Sequence, residues 1–148
     1  MRLLLLCAGM LLLFGCSSND TPEAASASGP QVANEFQRFA PRYPVEEARA
    51  GREGCATVRY LLTPSLLVEQ VEVLDATSRH FANESAAVVP RWNWQSLGAD
   101  RVAEPTWFET RFEFCLETGR GNCSPEQLQQ RTTCRGDDVV SSVGYRVR

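Results

Sequence analysis

The chain has 148 residues, a length that fits one domain with a modest core. Its formal net charge is −3 and all 15 of its strong bases are arginines, a mildly acidic balance that excludes nonspecific nucleic-acid binding as its role. What its six cysteines do depends on the redox compartment, which has to be read from the start of the chain.

Met1-Arg2 opens on an apolar run from Leu3 to Phe14. This run is too short to span a bilayer, which takes about 20 apolar residues, and has the length of a signal-peptide core. It ends at Leu13-Phe14-Gly15-Cys16 and turns polar at Ser17. That ending resembles the bacterial lipobox, in which the cysteine is acylated after cleavage. Cys7 fits less well, because Leu6 before it is not small. The expectation is a signal peptide over 1–15 and lipid on Cys16, with several acyl chains holding the protein on a membrane. Ser17, rather than Asp, resembles the sorting pattern for the outer membrane. Residues 16–33, rich in Ser, Ala and Pro, then read as the lipidated cysteine and a flexible tether. Export makes Cys55, Cys115, Cys123 and Cys134 two disulfides. No close C-x-x-C pair occurs and His80 is the single histidine, so no metal is expected.

The ordered elements begin at Asn34–Ala40, where Phe36 and Phe39 at helical spacing predict a short helix. Val45–Ala50 predicts one or two helical turns between Pro44 and Gly51. Cys55–Leu62 alternates, with Ala56, Val58, Tyr60 and Leu62 on one face and Cys55, Thr57, Arg59 and Leu61 on the other, as in a half-buried strand. Thr63-Pro64-Ser65-Leu66 turns the chain into a second strand, Val68–Leu74, with Val71 and Val73 inward. Phe81–Trp92 predicts a helix with Phe81, Ser85, Val88 and Trp92 on one stripe, and Pro90 demands a kink or an end there. Gly98–Pro105 is a loop. Trp107–Leu116 predicts a third strand, with Thr110, Phe112, Phe114 and Leu116 on one face. Ser124-Pro125-Glu126-Gln127 carries a helix-start signature, and Val139–Val147 offers a last strand.

This order resembles the C-terminal domain of TonB-family energy transducers. Pro41-Arg42-Tyr43-Pro44 with Gly51 and Gly54 matches that family's P-x-Y-P…G-x-x-G opening. Trp92 and Trp94 fit the W-x-aromatic end of its central helix, and Phe112 and Phe114 fit its closing strand. The likeness covers about Pro41 to Leu116. Glu47 stands where the family usually has Ala, and Ser65-Leu66 where it has an Asp-Gly turn. The resemblance implies an α+β fold: a small antiparallel sheet of three strands, with room for a fourth from the tail, packed against helices. It also implies a first strand lying between the other two, which suggests Cys55–Cys115 and Cys123–Cys134 as the disulfide pairs. The expected organisation is a domain over 34–118 and a disulfide-containing extension over 119–148.

No catalytic set emerges: there is no nucleophile motif, phosphate loop or metal-binding helix, so no enzyme activity and no cofactor is expected. His80, Glu46-Glu47 and Asp137-Asp138 read as surface charge. Trp92, Trp94 and Trp107 read as core. The functional candidate is the edge of the third strand, whose unpaired backbone can accept a partner strand. The resemblance implies that the partner is an envelope protein, such as a TonB-dependent outer-membrane receptor, lying beside Arg111, Phe112, Glu113 and Phe114. The function expected is then a periplasm-facing, lipid-anchored binding module related to transport across the outer membrane. The alternative is a non-transducing accessory lipoprotein whose sheet edge is capped by its own tail, and the sequence leaves both open.

Overall fold

Alternation of side chains makes the central strands, and their apolar face sets the architecture. The structure, a computed structural model, describes residues 36–98 and 100–147. The expected signal peptide over 1–15, the expected lipid site Cys16 and the expected tether over 16–33 lie outside the described residues. Strand β1 (Gly54–Leu62) pairs antiparallel with β2 (Val68–Ala76) and with β3 (Thr106–Leu116). A fourth strand, β4 (Val139–Gly144), joins β3 in parallel, giving the order β2-β1-β3-β4. The fold is α+β, and its sheet is mixed rather than wholly antiparallel. A parallel neighbour needs a long crossover, and the segment between β3 and β4 supplies it, including the short helix α3 (Pro125–Gln129).

One sheet face carries Ala56, Val58, Tyr60, Leu62, Phe112 and Phe114, all buried. Against it lies the helix α2 (Arg79–Val88), which contributes Phe81 and Val88. Ser78 caps α2 by accepting the Phe81 N–H. Pro90 ends α2, as its missing N–H requires, by falling inside a 3-10 turn (Val89–Arg91). A second 3-10 turn (Trp94–Leu97) follows, and Trp92 and Trp94 close the core. Their indole N–H groups donate to the carbonyls of Phe39 and Val89, so neither buried donor is orphaned.

Three expectations are corrected here. Residues 36–40 are not helical; Gln37 instead makes an isolated bridge to Asn93, and Phe36 packs on Trp94 with ring centroids 4.6 Å apart. Tertiary packing of one aromatic overrides a weak helical spacing. Val73 lies on the core side, opposite Val58, but its expected burial is incomplete: it stays 43 % exposed because β2 is an outer strand. Trp107 is 43 % exposed on the face away from the core, with the Arg59 guanidinium 4.9 Å from its ring centroid.

The β1–β2 turn shows a local cost offset by burial. Leu66 has φ 61°, which costs a non-glycine residue about 1–2 kcal/mol. Its side chain is buried in the core cluster, which contributes about 1.5–3 kcal/mol. At Gly54 the need for glycine is steric: a Cβ would sit 2.0 Å from Thr77 Oγ1 and 2.7 Å from the Phe81 ring.

The second sheet face is covered too, by the C-terminal extension. Disulfides Cys55–Cys134 and Cys115–Cys123 staple that extension to β1 and β3, and Leu128 of α3 is fully buried beside the second. The pairs expected from the resemblance, Cys55–Cys115 and Cys123–Cys134, are therefore corrected. Cys55 lies opposite Glu113, not Cys115. Cys115 is thus a diagonal neighbour at about 7–8 Å, outside disulfide reach.

Peptide mapping of the oxidised protein should recover the 55–134 and 115–123 links. Replacing both cysteines of the first pair by Ala should lower unfolding free energy by about 4.5 kcal/mol, and both of the second by about 2.6 kcal/mol, from loop closure over separations of 79 and 8 residues. Equal losses in chemical denaturation would contradict that account.

Candidate functional site

Beside β3 runs a lane that one more strand could occupy, and β4 fills only part of it. Val139 to Gly144 lie opposite Arg111 to Leu116. Among the described residues nothing pairs with Thr106 to Thr110 on that side. The Arg111 N–H donates into the lane, to Asp138 O. Since strand residues alternate in direction, the N–H groups of Trp107 and Glu109 point the same way, into the open part. Trp107 and Phe108 flank it, 43 % and 37 % exposed, on opposite sheet faces. Phe108 stacks on Tyr60, which fixes its ring.

Arg111, Phe112, Glu113 and Phe114, expected to flank a docked partner, do not form a free edge. Val139, Val140, Ser141 and Ser142 pair with them in turn. Phe112 and Phe114 are fully buried in the core, and Arg111 and Glu113 lie under the extension. Arg111 has a different task. Its guanidinium donates to the carbonyls of Leu128, Gln129, Arg131 and Cys134. The first two belong to the last turn of α3, where carbonyls lack partners and a cation is favoured. Glu113 sits 3.3 Å from Arg111 Nε, with Arg131 at 3.9 Å. Burial pushes the Glu113 carboxyl above its ordinary value, against the pull of the two arginines.

The filled part of the lane is locked from the core side as well. Ser142 Oγ donates to the Pro41 carbonyl at 2.9 Å. The Tyr43 ring lies over Gly144, where a Cβ would come within 2.6 Å of it. Tyr43 also packs edge-on against Phe81 and Phe114, and its hydroxyl donates to Arg52 O at 2.6 Å. The Tyr43-Pro44 motif thus joins the opening segment, the core and β4.

The charges taken as surface features divide. Asp138 accepts from Arg38 and from Thr110 at 2.7 Å. Glu47, on the helix α1 (Val45–Ala50), is only 1 % exposed and accepts from Arg52 Nε at 2.6 Å, with His80 Nδ1 at 2.9 Å. His80 is therefore a positioning contact between α1 and α2. Its pairing with Glu47 could be suspected only from the acid standing on a helix face where small residues are the rule. Among the described residues, Glu53, Cys115 and Cys123 converge closely enough to suggest a metal, but the two sulfurs are bonded to each other.

Hydrogen bonding from Arg52, opposed by burial, holds the Glu47 carboxyl at about 2, below its ordinary 4.5. The ionised form therefore stabilises the fold above pH 4.5, and this contribution is lost as pH falls towards 2. Glu47→Gln should flatten the acid limb of stability in denaturation at stepped pH; an unaltered limb would refute it. Arg111→Ala should cost about 3–5 kcal/mol, the scale of an uncompensated buried partner, and should loosen the extension. Hydrogen exchange in residues 124–144 reads this, and unchanged protection there would reject the role.

The family described as Gram-negative bacterial TonB protein C-terminal matches residues 40–116, just over half of the chain. No curated protein matches it.

Proposed function

Since the chain belongs to the family of Gram-negative bacterial TonB protein C-terminal domains, we propose that it is a lipid-anchored, periplasm-facing module that receives an extended segment of an envelope protein beside the open half of β3. Family membership carries a Gram-negative envelope setting and a protein-interaction role. The finer reading is our own: lipid on Cys16, a 16–33 tether, an outer-membrane address, and a partner such as a TonB-dependent receptor.

One observation supports docking at Thr106–Thr110 above the rest. Among the described residues nothing pairs with the backbone there on its outer side, while two aromatic side chains stand exposed at the same residues. Backbone hydrogen bonds supply affinity in strand addition, and flanking side chains supply selectivity. The open stretch is about five residues long, so the docked segment is short. The capped half of β3 favours a second reading, an accessory lipoprotein that does not transmit force. The two differ in what loss of the protein does to receptor-dependent uptake.

Photo-crosslinking tests the reading. A benzoylphenylalanine at Phe108, in cells, should capture an outer-membrane protein, and Glu109→Pro should abolish the adduct by removing an outward N–H while leaving the β1 ladder intact. Adducts that persist in the proline variant would reject strand pairing. Cys16→Ser should release the protein from membranes; retention there would reject the anchor.

A further inference from the structure

The extension does not lie flush on the sheet. Between it and the start of β1 is a cavity of about 260 Å³. Glu53, Cys55 and Thr77 wall it beside the ends of β1 and β2, Glu113 from β3, and Arg131 and Thr133 from the extension. The extension supplies one whole side, so the cavity is a product of this chain's own tail. Its size suits one small molecule, since ligand pockets begin near about 300 Å³.

The charged groups in the wall are held in place but only partly satisfied. Glu53 is fully engaged: Oε1 accepts the Leu116 N–H at 2.7 Å, and Oε2 accepts from Arg131 Nη2 at 3.1 Å. That bond fixes the Arg131 guanidinium, while Arg111 Nη1 donates to the Arg131 carbonyl and fixes its backbone. Arg131 Nη1 has no hydrogen-bond partner among the described residues. Glu113 Oε2 lies 3.9 Å from it, beyond hydrogen-bond length. Glu113 is only 1 % exposed, and its Oε1 faces Arg111 Nε. Its Oε2 accepts no hydrogen bond among the described residues.

A fixed donor and a fixed acceptor therefore stand side by side, too far apart to satisfy each other. One ligand meets both if it carries an acceptor and a donor close together. Both wall groups are ions, so charged ends gain most, an anionic one on Arg131 and a cationic one on Glu113. An ammonium there also offsets the burial that pushes the Glu113 carboxyl up. The guanidinium in the same wall repels a bare metal cation. An α-amino acid has the required form, with its ammonium and carboxylate on one carbon.

We infer that this cavity is a binding site for a free α-amino acid, with the ligand carboxylate on Arg131 Nη1 and the ligand ammonium on Glu113 Oε2. The exposed Thr133 hydroxyl stands at the rim. Both charged partners are already ordered, which lowers the cost of binding. Gly54 lies opposite Phe114 and Leu62 opposite Thr106, so the cavity sits at the end of β3 remote from the open stretch. The inference does not rest on the docking reading above.

Nitrogen-15 NMR of the full oxidised chain, titrated with glycine, tests it. Glycine is the probe because it has both charged ends and no side chain to exclude it. The amide signals of Gly54, Thr77 and Thr133 should move and saturate in the millimolar range. Acetate, methylammonium and acetamide, each lacking one or both charges, should produce no saturable shift over the same range. Arg131→Met, which removes the donor, and Thr133→Trp, which fills the mouth from an exposed position, should each weaken glycine binding about tenfold or more. Circular dichroism reports whether each variant is folded, and Thr133→Trp serves if Arg131→Met is not. Absence of a saturable shift with glycine, an equal response to any of the three half-ligands, or binding indifferent to Thr133→Trp would overturn the inference.

Discussion

The guanidinium of Arg111 is the contact on which the second half of this molecule depends. It is a buried charge on the face of β3 away from the aromatic core, and a buried charge is tolerated only when its hydrogen bonds are met. The extension meets those of Nη1 and Nη2 with four backbone carbonyls, and in doing so folds against β1 and β3, while Nε faces only the Glu113 carboxylate at 3.3 Å. Glu113 beside it supplies the opposite charge in the same dry layer. The two disulfides hold this arrangement covalently, one from each of the strands that Arg111 and Cys55 occupy.

That layer has a consequence for function. With the extension on the outer face, the chain after Cys134 emerges beside β3, and β4 pairs with it in parallel. Tyr43 and Pro41 then secure it from the other side, through Gly144 and Ser142. The tail therefore closes Arg111 to Leu116 of β3 and leaves Thr106 to Thr110 without a paired strand among the described residues. On the docking reading proposed above, the tail sets how long the received segment can be.

Much of the fold was legible because it rests on local pattern. The alternation in Cys55–Leu62 and Trp107–Leu116 assigned faces correctly, with Phe112 and Phe114 inward and Arg111 and Glu113 outward. Pro90 announced the end of α2, and Ser124-Pro125 the start of α3. The site was less legible. An outward Arg and Glu next to phenylalanines look alike whether they face solvent, a partner or a folded-back tail. Glu47 read as solvated charge for the same reason, since His80 and Arg52 reach it from other elements.

The sequence by itself determined the strands, their inward faces, the family likeness, and the presence of four disulfide-forming cysteines. These follow from side-chain period, turn chemistry and composition, all of which act over a few residues. Tertiary structure alone decided which cysteines pair, which half of β3 stays open, and whether Arg111 meets solvent or carbonyls. Each of those turns on register and on where a distant segment comes to rest. A shift of one diagonal neighbour, from Glu113 to Cys115 opposite Cys55, is enough to redirect both disulfides.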